Sequence, residues 1–295
     1  MSAAAISVSF EFFPPGDAAM EATLWRALER LAPLAPRFVS VTYGADGTTR
    51  GRTHALVTRI RQHTHLTGAP HLTCIGAARD EILDIARSYW SQGIRHVVAL
   101  RGDPPQGQGA YRPHSQGFAH AADLVAGLRS LAPFEISVAA YPEVHPEAHS
   151  AAADLANLKR KVDAGATRAI TQFFYDSDAF LRFRDRCAAA DVRAPIVPGI
   201  LPITRFDKVV RFARSCGASI PPWLRERFAG LDDDDETRLA LAASVAIEQV
   251  QTLRRHGVNE FHFYTLNRAA LTYAICHALG LQPVAPAPAC EAAPA

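Results

Sequence analysis

Apolar and polar positions along this chain fall into two alternating rhythms. Short runs rich in β-branched and aromatic residues each give way to a turn signal, and then to a longer stretch with apolar side chains at helical spacing. Eight such runs predict strands: Ile6 to Phe13, Phe38 to Gly44, His71 to Gly76, His96 to Asp103, Ile136 to Glu143, Ala169 to Asp176, Ile196 to Leu201 and Glu260 to Asn267. After the first run, Gly16-Asp17 caps a helix that carries Met20, Leu24, Leu28 and Leu31 on one face. Near the other end, the acidic run Asp232 to Asp235 favours a helix start through the macrodipole. Leu241, Val245 and Leu253 follow at helical spacing, and Gly257 stops the segment.

Strict alternation of strand and helix requires parallel strands, and eight units predict a single α/β domain built as a (β/α)₈ TIM-type barrel over residues 1–281. An open doubly wound sheet is the alternative. It calls for a glycine-rich phosphate turn after the first strand, where the chain has Phe13-Pro14-Pro15-Gly16 instead; Gly107-Gln108-Gly109 lacks the third glycine and follows the fourth strand. Residues 282–295, rich in Pro and Ala and without apolar period, are expected to be a disordered tail.

Composition narrows the partners. The 31 Lys and Arg nearly balance 29 Asp and Glu, and no basic block or aromatic-basic stripe occurs, so a small molecule rather than nucleic acid is expected. The five cysteines (Cys74, Cys187, Cys216, Cys276 and Cys290) are odd in number and far apart, as reduced cytosolic thiols are. No charged leader with an apolar run opens the chain, and nowhere do about 18 apolar residues run together. A cytoplasmic protein without a membrane span is expected.

In a barrel, reactive groups belong at the carboxyl ends of strands, and the two-residue period assigns side chains to lumen or helix layer. Ile6, Val8, Phe10 and Phe12 suit the helix layer, which leaves Ser7, Ser9 and Glu11 in the lumen, Glu11 nearest the top. A carboxyl group between two phenylalanines in a partly dry site should have its acid form favoured, as suits a general acid; a Glu paired with an Arg inside the barrel is the structural alternative. The same period directs Ser40 and Thr42, then Ala99, Arg101 and Asp103, and Gln172 inward. Arg101 and Asp103 could simply neutralise each other, and Gly102 between them would let a ligand approach the backbone.

Competing chemistries lack their residues. A Schiff-base aldolase needs a strand-end lysine, yet Lys159, Lys161 and Lys208 all fall on predicted helices. Glu143, His145, Glu147 and His149 do not have metal-ligand spacing, and Pro146 interrupts the turn, so no metal is expected. His63 and His65 precede a strand and read as surface.

Several blocks carry a family resemblance: Val8-Ser-Phe-Glu-Phe-Phe-Pro-Pro15, Phe38-Val-Ser-Val-Thr-Tyr-Gly44, Pro70-His-Leu-Thr-Cys74, Ala99-Leu-Arg-Gly-Asp103, Ala139-Ala-Tyr-Pro-Glu-Val-His-Pro-Glu147, Leu158-Lys-Arg-Lys-Val-Asp-Ala-Gly165, Ile170-Thr-Gln-Phe-Phe174, Pro198-Gly-Ile-Leu-Pro202 and Phe261-His-Phe-Tyr-Thr-Leu-Asn-Arg268. In this order, from about Ser7 to Leu281, the chain resembles the catalytic part of bacterial-type methylenetetrahydrofolate reductases. The resemblance implies an FAD-bearing barrel that reduces 5,10-methylenetetrahydrofolate to 5-methyltetrahydrofolate by a ping-pong mechanism, feeding methionine synthesis. NADH is the implied reductant, with NADPH as the alternative, and a homo-oligomer is implied. A related flavin barrel acting on another pterin or one-carbon carrier, or a non-catalytic flavin or folate sensor, are the competing readings.

Carried over by position, Glu11 is the implied proton donor, and Asp103 the aspartate near pterin and flavin. Gln172 and Phe212 are implied contacts of both folate and nicotinamide, Thr42 of nicotinamide, and Arg268 of the folate's glutamyl part. The implied FAD residues are Thr42, Tyr43, Ala45, His71, Arg101, Gly102, Asp103, Tyr141, His145, Ala148, Asp154, Asn157, Arg160 and Lys161. On residue type alone, Arg160 and Lys161 would be a solvated helix face, His145 a loop histidine and Phe212 core. Two positions depart from the family: His120 stands where an aromatic is usual, in a long 104–122 segment, and Lys208 where a glutamine often contacts folate.

Overall fold

A computed structural model describes residues 5–43, 50–104 and 110–284. Its strands are β1 (Ser7–Phe12), β2 (Val39–Val41), β3 (Gly68–Thr73), β4 (His96–Leu100), β5 (Glu135–Ala140), β6 (Arg168–Thr171), β7 (Ile196–Val197), β8 (Gly199–Ile200) and β9 (Glu260–Tyr264). All pair parallel, in the order β7-β6-β5-β4-β3-β2-β1-β9-β8. The strand predicted from Ile196 to Leu201 is thus split at Pro198, whose ring removes the amide hydrogen a continuous ladder needs. Its first half pairs with β6 and its second with β9, so this broken stave closes the predicted eight-stave barrel.

The helices are α1 (Ala18–Leu31), α2 (Arg50–His63), α3 (Arg79–Ser91), α4 (Ala121–Leu131), α5 (Ala151–Asp163), α6 (Ser177–Ala189), α7 (Phe206–Cys216), α8 (Pro222–Phe228), α9 (Asp235–Arg255) and α10 (Ala270–Ala278). Asp17 caps α1 by accepting from the Met20 amide, and Asp234 caps α9 by accepting from that of Thr237. Leu24, Leu28 and Leu31 are buried in one core with Val8, Phe10 and Phe12, as their spacing predicts, whereas Met20 stays exposed in the first turn beside the cap. β3 starts three residues before the predicted His71, because Gly68-Ala69-Pro70 carries no strand propensity and is held by pairing with β2. No described helix is long and apolar enough to cross a membrane. Cys74, Cys187, Cys216 and Cys276 are unpaired, and Cys290 lies outside the described residues. Of the predicted tail, Val284 is tied by its amide to the Pro33 carbonyl, and 285–295 lie outside the described residues.

The lumen corrects one assignment. His71 pairs in register with Val98, and Val98 and Leu100 cluster inside the barrel with Phe38, Ala69 and Ile170, while Ala99 joins the helix-side core. On β4 the inward residues are therefore His96, Val98 and Leu100, not Ala99, Arg101 and Asp103. The strand ends at Leu100, after which the Arg101 carbonyl accepts from both Cys74 and Ile75 amides and Gly102 turns at φ 84°. Alternation holds only while the backbone stays extended, so the charged pair beyond the strand end gave the wrong phase. A Cβ at Gly102 would lie 2.6 Å from Ile75 Cγ2.

The lower lumen is polar and fully paired. Arg168, 2 % exposed, donates to Glu260 and Glu135 at 2.7 Å each and lies over the Phe38 ring. His96 meets the Ser137 hydroxyl at 2.8 Å, and burial pushes its pKa down to about 3, so the ring is neutral. Burial alone would raise Glu135, but the guanidinium groups of Arg168 and Arg37 outweigh it and hold the carboxyl below its usual range. Removing Arg168 strands Glu260 and leaves Glu135 to the exposed Arg37; Arg168→Ala should lower unfolding free energy by about 3–5 kcal/mol in urea titration. The stabilisation from a depressed carboxylate is full above its unfolded pKa and lost as pH falls, so the gap between variant and wild type should narrow in acid.

Candidate active site

Strand β1 delivers one charged group to the mouth. Glu11 follows Ser7 and Ser9 on the inward face, and its side chain is 18 % exposed. Glu11 Oε2 lies 3.1 Å from His71 Nε2, on β3, and 3.6 Å from His262 Nε2, on β9. His262 is fixed from below: its Nδ1 is 2.8 Å from the Ser9 hydroxyl, and its ring stacks on Phe38 at 5.8 Å. With that hydroxyl donating to Nδ1, the Nε2 atom carries the hydrogen that faces Glu11. Both Nε2 atoms are buried and turned toward the carboxylate.

This geometry overturns the expected direction of the Glu11 shift. Burial does raise it, as expected for a carboxyl near two phenylalanines, but the charges and hydrogens of His71 and His262 pull it down to about 2. The sequence shows the phenylalanines as neighbours of Glu11, yet they point to the helix layer; its lumen neighbours are histidines from strands 60 and 251 positions away.

Around Glu11 the rim holds polar groups in wait. Ser40 Oγ, Tyr43 Oη, Thr73 Oγ1 and Arg50 Nε are buried without partners. Thr42 continues β2 upward through its amide to the Phe12 carbonyl, and its own carbonyl accepts from Thr53. Gln172 follows β6, its Oε1 accepting from the Phe173 amide. Phe212 is 48 % exposed on α7 and stacks on Phe173 at 5.3 Å and 20°, so it is neither core nor isolated. Tyr264 reaches across the lumen to the Thr171 carbonyl, through space that only Gly199 leaves open, since a Cβ there would sit 2.8 Å from the phenolic oxygen. Arg268 is exposed just past β9. Lys208 lies on α7, and Ala45 is outside the described residues.

A groove of about 390 Å³ runs off the rim between the ends of β4 and β5 and helix α5. Arg101, Gly102, Asp103, Tyr141, His145, Ala148, Asp154, Asn157, Arg160 and Lys161, scattered over some sixty positions, all line it. Arg101 lies over the Tyr111 ring at 4.5 Å, 3.4 Å from Asp103 and in closer contact with Glu147. The Arg101–Asp103 pair is therefore only part of a three-way arrangement. Asp154 accepts from the His145 amide, which ties the β5 loop to the first turn of α5. Arg160 is exposed, but Lys161 is buried with Nζ on the Ala139 carbonyl, and burial lowers its pKa to about 8. His120 also lines the groove. Among the described residues no group of three or more His, Cys, Asp or Glu could hold a metal; Glu143 is instead bound to the Ser219 amide and hydroxyl.

His262 and Tyr111 were not singled out by the sequence, Ser9 was placed in the lumen without a role, and Glu147 was weighed only as a metal ligand. For His262 and Ser9 a signal existed: both are polar residues on the inward phase of otherwise apolar strands. Glu147 and Tyr111 sit in loops, where no period applies.

Similarity to known proteins agrees with this geometry. Residues 1–280 match the family described as Methylenetetrahydrofolate reductase. The 5,10-methylenetetrahydrofolate reductase of Salmonella typhimurium is 57% identical over 278 residues, covering 94% of this chain and 92% of that protein. That of Escherichia coli is 57% identical over the same length and coverage. A solved protein of Clostridium thermocellum, described as binding two copies of 5-methyl-5,6,7,8-tetrahydrofolic acid, shares the fold with a TM-score of 0.63 at 16% identity, over 94% of both chains. With the match running through the barrel and every block of the site, this chain belongs to the methylenetetrahydrofolate reductase family.

Proposed function

We propose that the protein reduces 5,10-methylenetetrahydrofolate to 5-methyltetrahydrofolate, with FAD bound in the groove and mouth and NADH, or alternatively NADPH, as the ping-pong reductant. The observation that carries this reading is the Glu11 carboxylate held between two imidazoles at the barrel mouth. Opening the folate's five-membered ring breaks a carbon–nitrogen bond, and the departing nitrogen takes a proton. The methylene carbon, left electron-poor, then accepts a hydride. Bound flavin would supply that hydride, having taken it from the nicotinamide.

The chain's own residues fit such a cofactor. Arg101 and the exposed Arg160 offer charge to a diphosphate, Tyr141 and His145 form an aromatic wall 4.6 Å apart, and the unpartnered Thr73 and Tyr43 hydroxyls offer hydrogen bonds at the mouth, where His71 stands beside Glu11. Lys161 would act by bracing the Ala139 carbonyl rather than as a free cation. Thr42, Gln172 and Phe212 would take the nicotinamide and folate rings in turn, Asp103 would face the pterin, and Arg268 the glutamyl carboxylates.

Proton transfer follows from the cluster rather than from Glu11 alone. In the ligand-free site Glu11 is ionised, because the two histidines beside it outweigh its burial and lower it to about 2. A folate ring closing the mouth removes water and raises the cost of that charge, which favours the acid form of Glu11, whose proton the departing nitrogen can take.

Glu11→Gln should leave nicotinamide oxidation by the FAD-loaded protein within about twofold and slow the folate half-reaction by about 10²–10⁴-fold in stopped-flow absorbance. Equal loss in both would remove Glu11 from the acid role. The folate half-reaction of wild type should slow as pH rises, since the step consumes a proton that must reach Glu11 before the nitrogen departs; a rate that climbs with pH would contradict this. Glu11's contribution to stability has the opposite sense: it is present above the unfolded carboxylate pKa near ~4.3 and fades as pH falls through about 2, so urea midpoints of wild type and Glu11→Gln should converge in acid. Phe212→Ala should weaken folate binding roughly tenfold by fluorescence titration while shifting Tm by only a few degrees, because the ring is half exposed.

A further inference from the structure

We infer that Thr265 and Asn267 form a side-chain clamp that positions Glu11 for proton transfer. The inference rests on the proposed reaction only for its kinetic consequence; the geometry stands by itself. The β1–β9 ladder ends at the pair Glu11 and Tyr264, one residue short of the turn that carries β9 away from the barrel. Beyond that pair, side chains first reinforce the backbone bonding and then replace it. The Thr265 amide and hydroxyl both donate to the Glu11 carbonyl, at 3.2 and 2.6 Å. The Asn267 side chain then pairs with both backbone groups of Phe13, its Oδ1 accepting from the amide at 3.0 Å and its Nδ2 donating to the carbonyl at 2.9 Å. The Asn267 amide returns to the Thr265 hydroxyl at 3.1 Å, which locks the two halves together.

The backbone is bent to make this possible. Leu266 and Asn267 stand consecutively at φ 50° and 58°, a left-handed conformation that non-glycine residues seldom adopt and that Asn tolerates best after glycine. Thr265 and Asn267 are 4 % and 3 % exposed, while Leu266 between them is turned out to solvent. Glu11 is therefore gripped at its own carbonyl and two residues later, on the β9 side of β1, where the ladder has ended, while its other edge stays paired with β2. Its carboxylate reaches His71 and His262 only while that backbone is held, and displacement of a reacting group by about 1 Å can cost about 10²-fold in rate.

Two substitutions separate positioning from folding. Asn267→Gly removes both bonds to Phe13 while keeping a residue that adopts positive φ without strain. Thr265→Val removes the hydroxyl at nearly constant volume, and Thr265→Ser restores it. In FAD-loaded protein, Asn267→Gly and Thr265→Val should slow the folate half-reaction about 10- to 100-fold at saturating folate, with the nicotinamide half-reaction within about twofold and Thr265→Ser near wild type. Both half-reactions falling together in step with Tm, or the folate step staying unchanged, would overturn the clamp. Absence of a folate half-reaction in wild type would instead sink the proposed function. In that case the clamp is read from ligand-free protein by carbon-13 NMR of the Glu11 carboxyl. Its titration midpoint should rise in Asn267→Gly as the histidines draw away, and an unmoved midpoint overturns the clamp whatever the reaction is.

Discussion

A carboxylate inside a barrel is tolerable only if opposite charge or donors meet it there, and the contact of Glu11 with His71 and His262 satisfies that condition. Four neighbouring strands, β3, β2, β1 and β9, must lie side by side for the three side chains to meet, so the cluster exists only in the folded ring. It also decides the chemistry available. Burial alone would hold a Glu in its acid form, whereas the two imidazoles keep Glu11 ionised until a ligand alters the balance.

Below the cluster, the lumen is built so that His262 cannot drift. Ser9 binds one ring nitrogen and Phe38 supports the ring face, and Phe38 itself is wedged between His96 and the Arg168 guanidinium. The polar layer of Arg168, Glu135 and Glu260 is fully paired, so it acts as a stiff floor. Above, the rim is the reverse: several buried polar atoms lack partners, and the groove beside it gathers three arginine or lysine side chains among three carboxylates. A paired floor and an unpaired rim make one end of the barrel structural and the other receptive.

Much of this was legible in the sequence. The eight strand signals, the caps at Asp17 and Asp234 and the inward phase of Glu11 follow from local period and short-range hydrogen bonding, which the chain order determines. The phase of β4 was not legible, because Arg101 and Asp103 look like lumen residues but lie past the point where the strand stops alternating. The direction of the Glu11 shift was also hidden. Flanking phenylalanines advertise desolvation, while the histidines that reverse it come from distant strands and depend on register, which no local pattern encodes. The loop residue Tyr111 was invisible for the same reason and Glu147 drew notice only as a rejected metal ligand, whereas Arg101 to Lys161 could be gathered into one site only by resemblance to relatives.

Infrared difference spectroscopy on FAD-loaded protein, with and without bound folate, tests the central claim most directly. A protonated carboxyl band that appears on folate binding in wild type and is missing from Glu11→Gln is the predicted result. A Glu11 carboxylate that stays ionised in the folate complex, at a pH where the reaction runs, would contradict it.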